Sequence, residues 1–280
     1  MGAAPVHPWT GRRVLVATMH GKGAAILPAL AGIGLAAEVL ELDTDRFGTF
    51  TGEVERTGSM LEAARAKARA ALDIAAARGA IAIASEGAFG PDPVLGFLPC
   101  ARELLLVIDA ASGREIVQAR RSLETNFASL DWPADEARLE AFLSRARFPG
   151  HALIVAHADG RFTKGIAGRA GLSEALDPGH RPVRVETDMR AHMNPTRMGE
   201  IAALARTLAG ALATPCPACG EPGFGFERAL AGLACIDCGT PTGLARAELL
   251  RCSACGHEAE RARRDARTHA EPGECPACNP

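Results

Sequence analysis

No apolar run in this 280-residue chain approaches the roughly 20 residues needed to cross a bilayer, so no membrane span is expected. The first sixteen residues carry Arg12 and Arg13 but no apolar stretch with a cleavage signal behind it, so no secretory leader is expected either. An excess of one charge is missing too. With 31 Lys and Arg against 33 Asp and Glu, the formal net charge is −2, which gives no electrostatic reason to expect nucleic acid or an anionic membrane as a partner. Before Pro215 cysteine is absent except for Cys100, which reads as a small apolar core residue. From Thr214 onward lysine is absent altogether. The expected location is the cytoplasm, where thiols stay reduced.

What is present begins with apolar residues. At 48% of the chain they can supply a full-sized core, and the length implies one main domain with a small appendage, divided here as residues 1–213 and 214–280. The appendage holds the strongest signal in the sequence. Eight cysteines form four C-x-x-C pairs: Cys216 with Cys219, Cys235 with Cys238, Cys252 with Cys255, and Cys275 with Cys278. Two thiolates separated by two residues can grip one tetrahedral ion from a tight turn, so two structural Zn2+ sites with four thiolates each are expected. The spacing leaves the pairing open. Neighbouring pairs would make two successive ribbons, whereas first with third and second with fourth would make a cross-brace.

Zinc ribbons often bind nucleic acid, and charge argues against it here. Residues 214–280 contain seven Arg and nine Asp or Glu, and eight zinc-bound thiolates would add further negative charge. The basic piece "ERARRDAR" (260–267) is interspersed with acids and reads as a solvated face. Docking to a protein partner or to the main domain is the better expectation for the module.

The first 213 residues read as α/β, a mixed sheet covered by helices. "RVLVAT" (13–18) is a strand, and "AAILPALAGIGLAAEVL" (24–40) has a helical pattern in which Pro28 marks a break or a first turn. Residues 59–77 are the clearest helix, with Ser59 and Glu62 spaced as a capping box. "IAIAS" (81–85), "LLLVIDA" (104–110) and "HALIVAHAD" (151–159) are further strands, "DEARLEAFLSRARF" (135–148) is a helix, and a last helix runs from Pro195 to Leu212. The strand "IAIAS" is expected to stop on a carboxylate, Glu86, followed by Gly87. His151 and His157 flank an apolar strand and read as satisfied core or surface histidines.

Polar residues gather where these elements begin and end. "ATMHGKG" puts His20 and Lys22 in a glycine-containing turn whose amides and lysine can receive phosphate. Asp43, Asp45, Glu53 and Glu55 lie in a polar loop that Phe47 and Phe50 would order. In 185–201, Glu186, Asp188, Arg190, His192, Asn194 and Arg197 follow the strand-like "PVRVET", and in an extended chain the even-numbered ones would share a face. Carboxylates there suit Mg2+, and Arg190, His192 and Arg197 suit phosphate.

Two resemblances rest on these motifs. "DTDRFGTFTGE", "IASEGAFGP", "ETNF", "FTKGI", "ETDMRAHMNPTRM" and "CPACNP" resemble a family of uncharacterised bacterial proteins known only as a domain of unknown function. The succession "VLVATMHGK", "TGSMLEAARAKARAA" and "AIAIASEGAFG" is similar to inosine triphosphate pyrophosphatase and Maf-type house-cleaning enzymes over about half the chain. Glu62 and Lys67 keep the Glu-to-Lys spacing of the helix in those enzymes. Ala63 stands where that helix has Asn, Glu86 is single where the family pairs two acids, and "MRAHMNPTR" only loosely matches the later Ser-His-Arg element. That resemblance implies a Mg2+-dependent hydrolase of a nucleotide or other phosphorylated metabolite. Glu62, Glu86, Asp188 and His192 are then the catalytic candidates. His20, Lys22, Lys67, Lys164, Arg190, Asn194 and Arg197 are the candidates for substrate and phosphate. The alternative is a non-enzymatic, zinc-stabilised adaptor.

Overall fold

The computed structural model describes residues 7–43, 58–76 and 79–280. The expectations for Asp45, Phe47, Phe50, Glu53 and Glu55 lie outside the described residues. Two compact units divide between Ala209 and Gly210.

The first unit opens with β1 (Val14–Thr18), α1 (Gly23–Ala31), β2 (Ala37–Glu41), α2 (Met60–Ala75), β3 (Ile81–Pro91), β4 (Pro99–Asp109) and β5 (Glu115–Ser122). These strands form one mixed sheet in the order β2-β1-β3-β4-β5. β1 runs parallel to both β2 and β3, whereas β3, β4 and β5 form an antiparallel meander. The helical pattern expected over 24–40 is therefore two elements. Gly32 and Gly34, the latter at φ +77°, end α1, and the remaining Ala37–Glu41 pairs with β1 as an edge strand. α2 carries the Ser59–Glu62 capping box that its sequence spells out. Its buried face is alanine (Ala64, Ala68, Ala71), and small side chains let it lie close against Ala82 and Ala84 of β3 and Leu104 and Leu106 of β4. Ile81 and Ile83 fill the other face of β3, so the centre of the sheet is buried on both sides, as parallel pairing requires.

The strand that begins "IAIAS" does not end on Glu86. It continues to Pro91, paired residue by residue with β4. What stops is its pairing with β1, whose last partner on β3 is Ala84. Glu86 therefore lies just beyond the end of β1, level with the turn into α1.

The rest of this unit comprises β6 (Ser129–Asp131), α3 (Glu136–Arg145), β7 (Leu153–His157), β8 (Phe162–Ile166), α4 (Arg169–Ala175), β9 (Pro182–Thr187) and the first part of α5 (Pro195–Leu212). Its strands make a separate antiparallel sheet ordered β6-β9-β7-β8. Phe142 and Leu143 of α3 and Leu172 of α4 pack with Leu153, Val155 and Val185. The even-numbered alternation expected across 186–194 does not hold. β9 ends at Thr187, and a short 3-10 turn at Ala191–Met193 carries the chain into α5.

The second unit is a three-stranded antiparallel meander of β10 (Gly225–Ala231), β11 (Ala245–Arg251) and β12 (Glu258–Ala262), with the C-x-x-C pairs before, between and after the strands.

Candidate functional site

The turn from β1 to α1 is shaped by two left-handed residues, His20 at φ +61° and Gly21 at φ +73°. It sends Lys22 inward, where its Nζ donates to the main-chain O of Ser85 at 3.4 Å and to Ser85 Oγ at 3.3 Å. From α2, buried Lys67 forms an ion pair with Glu86 on β3. From the first turn of α5, Arg197 pairs with Glu103 on β4, Nε to Oε1 at 2.7 Å, and both side chains are almost wholly buried. Its guanidinium also donates to the Met189 carbonyl and lies 5.0 Å from the centroid of the Phe89 ring, a cation–π arrangement.

Gly87 makes this arrangement possible. It stands opposite Glu103 in the β3–β4 register, and a Cβ there would lie 2.4 Å from Arg197 Nη2 and 2.8 Å from both Glu103 oxygens. The buried ion pair occupies the space that any other side chain at 87 would need.

Three cations and two carboxylates thus share one buried site. Taking such charges out of water is costly unless they are paired. Lys67 and Arg197 have carboxylate partners, while Lys22 forms no ion pair among the described residues. Burial, reinforced by the nearby charge of Arg197, lowers the Lys22 pKa to about 7, and Glu103 offsets this only in part.

A second layer holds the first. Asn194 Oδ1 accepts from the Arg197 amide at 3.0 Å, and its Nδ2 donates to Asn126 Oδ1 at 2.8 Å. Asp188, fully buried, accepts from the Gly165 amide at 3.1 Å, from the Arg190 amide at 3.0 Å and from Arg190 Nη2 at 2.7 Å. Asn194 and Asp188 therefore position the chain around Arg197 and Arg190. The His20 and His192 rings stack with centroids 5.1 Å apart, joining the β1–α1 turn to the segment before α5. Lys164 Nζ lies 5.7 Å from the centroid of the Phe162 ring, and burial raises the pKa of nearby Glu186.

The structure brings Lys22, Lys67, Glu86 and Arg197 together, and leaves Glu62 apart. Five residues along a helix turn the chain by about 140° from Lys67, and Glu62 is exposed. Its Oε2 accepts from the Ser59 amide at 2.6 Å, and this backbone hydrogen bond lowers its pKa. Sequence reasoning missed Glu103, Ser85 and Phe89. For Glu103 a signal was present: of the two acids in the strand "CARELLLVID", Asp109 ends it, whereas Glu103 lies inside it at a position whose neighbours two and four residues on, Leu105 and Val107, are buried.

In the second unit the sulfurs of Cys216, Cys219, Cys252 and Cys255 form one cluster, and those of Cys235, Cys238, Cys275 and Cys278 a second. The pairing is interleaved, first pair with third and second with fourth. Sulfur–sulfur separations of 3.7 Å (Cys216 to Cys255, Cys219 to Cys252), 3.8 Å (Cys235 to Cys278) and 3.6 Å (Cys238 to Cys275) rule out disulfides between these partners. They match the edge of about 3.8 Å in a tetrahedron whose centre lies about 2.3 Å from each thiolate, so each cluster could hold a metal ion. Within the knuckles, the amides of Gly220, Gly239, Gly256 and Asn279 return to the carbonyls of Cys216, Cys235, Cys252 and Cys275 at 2.8–2.9 Å. Six of the module's seven arginines are ion-paired to acids of the same module, among them Arg246 to Glu260 at 2.7 Å, and so have their charge already matched.

The family model described as "Domain of unknown function (DUF6671)" matches residues 67–280. The chain belongs to this family. The matched region holds Glu86, Glu103, Arg197 and all eight clustered cysteines, and the turn with His20 and Lys22 precedes it. No curated protein matches the chain. Among solved structures, a nucleoside-triphosphatase, dITP/XTP pyrophosphatase, from Mycobacterium abscessus is similar at 16% identity and a TM-score of 0.28, over 39% of this chain and 70% of that one. A likeness at that level establishes neither a shared fold nor a shared activity.

Proposed function

We propose that the first unit of this DUF6671 protein binds a nucleotide or other phosphorylated metabolite at the Lys22–Lys67–Arg197 cluster and hydrolyses it with the help of Mg2+. The observation that carries this reading is the odd cation. The two buried ion pairs, Lys67–Glu86 and Arg197–Glu103, are each neutral in themselves. Lys22, whose charged form burial disfavours, has no carboxylate partner among the described residues, so an anion bound beside it would restore its charge. Phosphate oxygens would take Lys67 and Arg197 from their present partners. Glu86 and Glu103 would then be free as hard oxygen donors of the kind Mg2+ takes. A divalent ion held there supplies charge neutralisation and a water of lowered pKa. Lys22, Lys67 and Arg197 counter the charge that builds on the transferring phosphoryl group. His20, His192, Arg190 and Lys164 come from the neighbouring turn and the second sheet and are assigned to the outer part of the substrate.

The test is phosphate or pyrophosphate release from a panel of phosphorylated metabolites with Mg2+ or Mn2+. Glu86→Gln is expected to lower turnover at least about a hundredfold with the far-UV circular dichroism unchanged, and Glu62→Gln to leave turnover intact. Turnover equal to wild type in Glu86→Gln, or none with any compound, would remove the proposal.

For the second unit we infer that each four-cysteine cluster holds a structural zinc ion. Thiolate-only tetrahedra favour zinc among abundant divalent ions, and four protein ligands leave no open position for chemistry.

A further inference from the structure

Beyond Glu86 and Gly87 the β3–β4 hairpin runs outward past Phe89 to a turn at residues 92–98. Asp92 is fully buried there, accepts from the amides of Val94 at 2.9 Å and Leu95 at 2.8 Å, and pairs with Arg121. Burial opposes its ionisation, yet the hydrogen bonds from Leu95, Val94 and Arg121 outweigh that and hold the Asp92 carboxyl down to about 2. The turn is thus tied to its own buried acid, and it holds Val94 and Phe97 in solvent at 79% and 81% exposure. Phe97 is thus a large aromatic side chain left almost wholly uncovered.

Beside the turn lies a cleft of about 320 Å³, lined by Pro91, Phe97 and Pro99 of the hairpin and by Phe127, Ser129 and Arg145 from the second sheet and α3. That volume falls at the lower end of small-molecule sites. None of the lining residues is acidic, and Arg145 forms no ion pair among the described residues. Phe127 connects the cleft to the charged cluster. Its ring packs on Phe89 with centroids 6.1 Å apart, and Phe89 carries the Arg197 guanidinium on its face. A chain of ring contacts therefore links the Arg197 guanidinium, through Phe89, to Phe127 at the edge of the cleft.

We propose that this cleft is the ring subsite of the same substrate, so that the molecule bound at the cluster is a nucleotide with a flat aromatic base rather than a sugar phosphate or an inorganic polyphosphate. The proposal rests on the phosphate reading of the cluster. Phe97 and Phe127 offer faces for stacking, and Arg145, which has donors only, faces a ring edge that carries acceptors.

Calorimetric binding of ATP, GTP, UTP and inorganic tripolyphosphate to the full chain tests it, in wild type and in Phe97→Ala and Arg145→Ala, both at exposed positions. At least one nucleotide is expected to bind about tenfold or more tighter than tripolyphosphate, and each substitution to weaken that nucleotide about five- to tenfold while leaving tripolyphosphate unchanged. Equal affinity for nucleotides and tripolyphosphate, or nucleotide binding unchanged in both variants, would overturn the subsite. Tripolyphosphate separates the two readings. If it binds as well as the nucleotides, only the subsite falls; if neither binds, the phosphate reading fails and the subsite with it.

Discussion

At Lys22 a single side chain shows how burial converts an ordinary residue into a responsive one. Its pKa falls from the usual lysine value of 10.5 to about 7, chiefly through desolvation. Between those two values the unfolded chain holds a proton that the folded chain lacks, so folding becomes more favourable as pH rises from about 7 toward 10. Urea unfolding across that range should show this rise, and Lys22→Met should flatten it. A wild-type slope no steeper than that of Lys22→Met would show that Lys22 is not the titrating group. Gly87 is the matching case of a residue chosen for what it leaves out. Its missing Cβ is the space through which Arg197 reaches Glu103, whose carboxylate is buried.

Among the elements, α2 is the one whose local chemistry can be separated from the site. Ser59 accepts from the Glu62 amide at 3.2 Å, and Glu62 returns the bond to the Ser59 amide at 2.6 Å. Ser59→Ala should lower unfolding free energy by about 1 kcal/mol without changing any activity the protein has, because the cap lies on the exposed side of the helix. An accompanying loss of phosphate binding would mean that Glu62 belongs to the site after all. The β3–β4 hairpin works differently. Its long register carries Glu86, Gly87 and Phe89 past the end of β1 and presents Glu103 from the neighbouring strand, so one hairpin supplies both carboxylates that pair with Lys67 and Arg197.

At the scale of the whole molecule, strand direction decides which cysteines share a cluster. In a three-stranded meander the chain reverses after each strand. Gly225 pairs with Arg251 at one end and Ala231 with Ala245 at the other. The segment before β10 therefore shares an end with the β11–β12 turn, and the β10–β11 turn shares the opposite end with the segment after β12. That is why the first pair meets the third and the second meets the fourth. The pairing is testable by counting bound metal in native mass spectra. Cys216→Ser with Cys252→Ser should retain one ion per chain, while Cys216→Ser with Cys235→Ser should retain none. The reverse result would mean neighbouring pairs share an ion.

What the residues determined by themselves was local: which segments are helix or strand where the apolar period is unbroken, the cap at Ser59, and the capacity of four C-x-x-C pairs to grip metal. These depend on neighbours a few positions apart, so they can be read along the chain. Where a longer pattern was ambiguous the tertiary structure intervened, recruiting Ala37–Glu41 from an apparent helix because β1 offered an unpaired edge. Tertiary structure alone decided that Glu103, 94 residues before Arg197, would be its partner, that Glu62 would face solvent, and that the cysteine pairs would interleave. Each of these is a contact between residues distant in sequence, set by strand register and by the direction in which each strand leaves the sheet, and no spacing along the chain encodes either one.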